Sequence, residues 1–144
     1  MADKTKFIEE LNAKYQPKGE YIVLGKGMLD GEVITEVDVN IPLKTINRHG
    51  LIAGATGTGK TKTLQVFVEQ LSHKGIPSLV MDIKGDLSGI AVEGEQNDKI
   101  NERYAKTKLP YQPQSFPVEL MTISSEKGLK LRATVTEFGP VLLS

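Results

Sequence analysis

The chain of 144 residues contains no cysteine, which excludes disulfides and thiolate metal sites. It carries no net charge, since 18 Lys and Arg face 18 Asp and Glu, so no global basic field is available to hold nucleic acid. No apolar stretch reaches the length of a membrane span, and no signal peptide is expected. The expectation is a soluble, cytoplasmic protein with no membrane partner. The two histidines, His49 and His73, show no metal-ligand spacing and read as structural. Arginine occurs only at positions 48, 103 and 132, too few for the arginine clamp that small-molecule kinases place on a transferred phosphoryl group. No Asn-Lys-x-Asp stretch is present, which argues against guanine specificity. There is no internal repeat and no low-complexity tract.

What is present is Gly54-Ala55-Thr56-Gly57-Thr58-Gly59-Lys60-Thr61, an uninterrupted match to G-x-x-x-x-G-K-[ST], the phosphate-binding P-loop pattern. Each position has its own task. Gly54 and Gly59 allow tight turns and close approach of an anion, and Gly57 adds a third permissive position. Successive backbone N–H groups form a nest for phosphate oxygens, and the following helix points its positive end at the same place. Lys60 reaches the β- and γ-phosphates, and the Thr61 hydroxyl is a Mg²⁺ ligand. Residues 54 to 61 with Lys62 in the first helical turn are thus the candidate contacts to ATP. The flanks agree. Leu51, Ile52 and Ala53 make a short apolar run suited to a buried parallel strand. Leu64, Phe67, Val68 and Leu71 follow the spacing of one helix face, and Gly75 and Pro77 stop that helix. The plain alternative is a glycine-rich turn before an ordinary helix.

A second apolar run, Leu79 to Met81, predicts another buried parallel strand, with Asp82 at its carboxyl end. Ligands of open α/β sheets bind beyond such ends. Asp82 is therefore a candidate to orient Mg²⁺ or the attacking water, and Asp86 a weaker one; the competing reading of Asp82 is a cap or turn residue. The motor-type signature of an apolar strand ending in Asp-Glu is not met here, because Ile83 follows Asp82.

Elsewhere, residues 4–15 suit an amphipathic helix halted by Pro17 to Gly19. Tyr21 to Leu24 read as a strand, with a turn at Gly25-Lys26-Gly27. Val33 to Ile41 alternate with period two, a half-exposed strand ended by Pro42. Glycines 85, 89 and 94 suggest a mobile loop. Asn97 to Lys106 suggest a short polar helix anchored by Ile100 and Tyr104, and a Pro-rich connector follows to Pro117. Tyr104 and Tyr111 are read as packing residues. Residues 118–124 and 129–135 alternate around Ser125 to Gly128 and predict a β-hairpin.

The run Arg48-His49-Gly50-Leu51-Ile52-Ala53-Gly54 into the P-loop pattern, with Val80-Met81-Asp82-Ile83-Lys84-Gly85-Asp86-Leu87-Ser88-Gly89 and the stretch from Leu131 to Leu143, resembles the HerA–FtsK superfamily of P-loop ATPases. Its HerA-like bacterial helicases are the nearest in pattern. The resemblance spans roughly residues 20 to 144 and implies ATP hydrolysis coupled to DNA movement in a homo-oligomeric, usually hexameric, ring. A ring of that kind can hold DNA on local pore loops, so the neutral charge balance does not exclude it. The resemblance also implies a role in trans for Arg48, acting on a neighbour's transition-state charge. Six extended residues span about 20 Å, so Arg48 is too far from Gly54 to serve its own loop. A strand-end salt bridge is the competing reading.

The expected fold is α/β, a partial RecA/FtsK-like P-loop NTPase core with a mainly parallel sheet, N-terminal β-strands and an inserted β-hairpin. Residues 1–45 lead into the core, and 46–144 form the first part of the ATPase domain. With no apolar run ending in Asp-Glu, the Walker B and sensor strands are expected beyond Ser144. The isolated chain is then expected to lack turnover. The alternative function is a nucleotide-gated interaction module that binds ATP without useful hydrolysis.

Overall fold

In a computed structural model of the chain, residues 3–132 are described. They form a mixed α/β arrangement with two small sheets. The organising element is a long antiparallel hairpin of β1 (Tyr21–Leu29) and β2 (Glu32–Pro42). Helices α1 (Lys4–Tyr15) and α3 (Asp98–Thr107) pack on β2, and α2 (Lys60–His73) packs on β1.

The local chemistry explains these boundaries. Asp3 caps α1 by accepting the Thr5 and Lys6 amides, and Asn97 caps α3 by accepting the Ile100 amide. The hairpin turns at Asp30 and Gly31, which both have positive φ, 49° and 84°. That is the type I′ geometry favoured by an Asp-Gly pair. The turn expected at Gly25-Lys26-Gly27 is corrected: these residues lie within β1. They mark register shifts instead, one between Val23 and Gly25 and one between Lys26 and Gly27. Gly27 makes room for Val37, since a Cβ at position 27 would stand 3.1 Å from the Val37 Cβ. The bulge also breaks the period-two pattern of β2, and the buried residues become Ile34 and Val37, joined in the core by Ile22, Leu71 and Ile90. Lys26 closes the bulge, its ammonium 2.6 Å from Asp38 Oδ1 and 2.8 Å from the Thr35 carbonyl.

Two further expectations are corrected. The runs at 51–53 and 79–81 join no sheet among the described residues. Leu51 is 89% exposed and Met81 87%. A parallel strand gains its ladder only from neighbours, and no described strand lies beside either run. The mainly parallel core is thus not formed among the described residues. The second sheet is not a hairpin: β3 (Met121–Thr122) and β4 (Leu129–Lys130) pair in parallel. Lys130 Nζ reaches back to the carbonyls of Ser124 and Glu126 in the segment between the two strands. Residues 133–135 of the expected second strand lie outside the described residues. Within the glycine-bearing loop after residue 82, a 3₁₀ turn at Ser88–Ala91 buries Ile90, whose carbonyl accepts the Phe116 amide at 3.1 Å. The connector from 109 to 117 has no regular structure, as expected.

Candidate functional site

Residues 54–59 form an irregular loop that runs directly into α2 at Lys60. Gly57 and Gly59 have φ of 81° and 93°, the left-handed region that L side chains rarely adopt. Gly54 differs, since its φ is ordinary and a Cβ there would lie 2.6 Å from the Thr58 Oγ1, so that hydroxyl would have to move. The loop folds on one carbonyl: Ala55 O accepts Thr58 Oγ1 and Lys60 Nζ, each at 2.8 Å. Gly59 offers no side chain to cap α2, and the first turn contains no acidic residue. Lys60 and Lys62 instead sit at the positive end of the helix dipole, where cations are disfavoured and an anion is stabilised.

Asp82 follows the exposed run 79–81. Its Oδ1 accepts the amides of Lys84 at 3.2 Å, Gly85 at 2.8 Å and Asp86 at 3.2 Å, and its Oδ2 accepts the Leu87 amide at 2.8 Å. These bonds, that from Leu87 above all, hold the carboxyl below its ordinary range. Nearby on α2, burial pushes the half-buried Glu69 carboxyl up, against the attraction of Lys62 and His73.

The 81–87 segment and α2 line an open cavity of about 240 Å³, which residues 54–60 and Lys62 do not line. Thr61 and Leu64 of α2 line one side, and Met81, Asp82, Lys84 and Leu87 the other. The structure thus brings Thr61 and Asp82 together. It does not bring Arg48 to them: Arg48 is exposed where the chain leaves the 3₁₀ turn at Leu43–Thr45, outside this cavity. Among the described residues no cluster of three or more His, Asp or Glu side chains could hold a metal by itself. His73 packs edge-on against Phe116 with ring centroids 5.1 Å apart, and Tyr104 stacks on Tyr111 at 4.4 Å.

One residue escaped sequence reasoning. Gln65 is buried, and its Nε2 donates to the Asp86 carbonyl at 2.8 Å, joining α2 to the 82–87 loop. The available signal was its place four residues after Thr61 and beside the apolar stripe, where a polar side chain needs a partner.

No helix among the described residues is long and apolar enough to cross a membrane. No solved structure matches the chain. A probable helicase of Methanocaldococcus jannaschii is 35% identical over 78 residues, covering 51% of this chain and 15% of that protein. The chain therefore spans a small part of the length of this curated relative. The family model described as helicase HerA-like C-terminal matches residues 28–144, most of the chain, and with it the loop, α2 and the 82–87 segment. The chain belongs to the HerA-like helicase C-terminal family.

Proposed function

We propose that residues 54–61 are a P-loop that holds Mg-ATP, and that the full-length protein couples ATP hydrolysis to DNA movement in a homo-oligomeric ring. The observation that carries this reading is the meeting of Thr61 and Asp82 in one cavity, at the start of a helix opened by Lys60. The likeness to a probable helicase supports the DNA-directed part.

The chemistry is that of positioning and charge. Backbone N–H groups of Gly54, Ala55, Thr56, Gly57 and Gly59 cradle phosphate oxygens, the Thr58 amide joins them on leaving the Ala55 carbonyl, and the amides opening α2 complete the nest. Lys60 leaves the Ala55 carbonyl for the phosphates, and Lys62 adds positive charge nearby. The Thr61 hydroxyl and the Asp82 carboxylate are hard oxygen donors, which fits Mg²⁺, an ion that takes few protein ligands and shares its shell with phosphates and water. Mg²⁺, when bound, neutralises charge developing on the β- and γ-phosphate oxygens. Asp82 orients the attacking water or the metal shell, and Arg48, exposed and apart, serves a neighbouring subunit in trans.

A second reading is a nucleotide-gated module without useful turnover. It is favoured by the state of Asp82, whose two oxygens already accept four backbone amides and have little capacity left for a water. Steady-state phosphate release from the full-length protein, with and without DNA, separates the two. DNA-stimulated release that vanishes in Lys60→Ala supports the motor. ATP binding with no release supports the module.

A further inference from the structure

Gln65 is the buried polar residue of the described core, with 7% of its surface exposed. A buried primary amide costs stability unless it is bonded, and Met would fill nearly the same volume without that need. What distinguishes Gln at this place is therefore the bond it makes, from Nε2 to the Asp86 carbonyl, 21 residues along the chain.

That bond has a particular position in the site. The 82–87 loop turns its own donors inward, because the amides of residues 84 to 87 all point at the Asp82 carboxylate. The loop is a closed unit, and no strand ladder fixes it. Among the described residues, the Gln65–Asp86 contact is the hydrogen bond that joins this unit to α2. Thr61 lies four residues before Gln65, one turn up the same helix face. Whatever fixes the loop at Gln65 therefore fixes the relation of Asp82 to Thr61.

We propose that Gln65 is a positioning residue, which through the Asp86 carbonyl holds the 82–87 loop, and with it Asp82, in place beside Thr61. The catalytic consequence rests on the P-loop reading of residues 54–61, whereas the hold on the loop does not. A ligand that bridges Thr61 and Asp82 closes a second link between helix and loop. Its binding and the Gln65 bond therefore reinforce each other.

The test uses the full-length protein in three forms: unaltered, Gln65→Met, and Leu71→Ala. Leu71 is a buried residue of the same helix outside the cavity, so its truncation lowers stability without touching the loop. Hydrogen exchange is followed over residues 84–87, with and without MgATP, beside ATP turnover. Gln65→Met is expected to speed exchange of these amides about tenfold, the effect of losing one hydrogen bond. It is expected to lower kcat about tenfold and leave KM for ATP within about twofold, the mark of a misplaced group rather than lost binding. Leu71→Ala is expected to lower the melting temperature alone. Unchanged loop exchange in Gln65→Met overturns the proposal, as does an equal effect of Leu71→Ala on the loop or on kcat. If MgATP alters neither exchange nor turnover in the unaltered protein, the ATP reading fails. The exchange of Gln65→Met against the unaltered protein then still decides whether Gln65 holds the loop.

Discussion

The Lys60 ammonium lies 2.8 Å from the Ala55 carbonyl, folded back across the loop whose proposed phosphates it would bind. The same carbonyl takes the Thr58 hydroxyl at 2.8 Å, so the loop satisfies itself. On the proposed reading, an entering phosphate competes with the Ala55 carbonyl for the Lys60 ammonium, which has three N–H donors.

This geometry suits a compact ammonium better than a planar guanidinium. Lys60→Arg keeps the charge and loses the fit. The expected outcome is an ATP affinity lowered by about tenfold or more, with the melting temperature unchanged within a degree or so. Equal affinity in Lys60→Arg would mean that charge alone matters at this position.

Asp82 holds the 82–87 loop through four amides, and a second role, in turnover, is proposed for it. In the full-length protein, Asp82→Asn is expected to leave ATP binding nearly intact and to cut turnover about 10²-fold, the scale of general acid–base work. Full turnover in Asp82→Asn would contradict a part for the carboxylate in catalysis. Its pH behaviour follows from the depressed folded-state pKa. A lowered carboxyl contributes stability that is present above its unfolded pKa and lost as pH falls through the folded one. The amides of Lys84, Gly85, Asp86 and Leu87 should therefore titrate together in NMR spectra, with a common midpoint below the ordinary carboxyl value of 3.8. A midpoint at or above that value would contradict the four-amide arrangement.

The hairpin supplies a test away from the site. Gly27→Ala sets a Cβ 3.1 Å from both Cβ and Cγ1 of Val37, which is fully buried in the bulge. β-branched Val37 has no flexible end to move aside. The expected cost is about 1–3 kcal/mol in denaturant unfolding. Gly27→Ala combined with Val37→Ala should recover part of it. A neutral Gly27→Ala would mean that the strands separate there at little cost.

The elements set by local chemistry were legible in the sequence. The helices expected over 4–15 and 97–106, the breakers after Tyr15 and His73, and the glycine pattern of residues 54–61 each depend on chemistry within a few residues. Elements that depend on distant partners were not. The runs at 51–53 and 79–81 have the composition of buried strands, but composition specifies a preference and not a neighbour. The turn was misplaced because Gly25-Lys26-Gly27 and Asp30-Gly31 both carry turn residues. Only the bulge around Val37 reveals why the first set belongs in a strand. At the site, the sequence singled out Thr61 and Asp82 for their chemistry, and both line one open cavity. Gln65 was not, because a buried glutamine and an exposed one look alike until the Asp86 carbonyl is placed.

The central claim is that residues 54–61 bind the phosphates of ATP. Calorimetric titration of MgATP into the full-length protein and its Lys60→Ala variant tests it most directly. The account predicts one saturable site per chain in the unaltered protein, and in Lys60→Ala an affinity lower by about a hundredfold or lost altogether, as removal of a charge-assisted contact to phosphate requires. Equal affinity in the two proteins would contradict it.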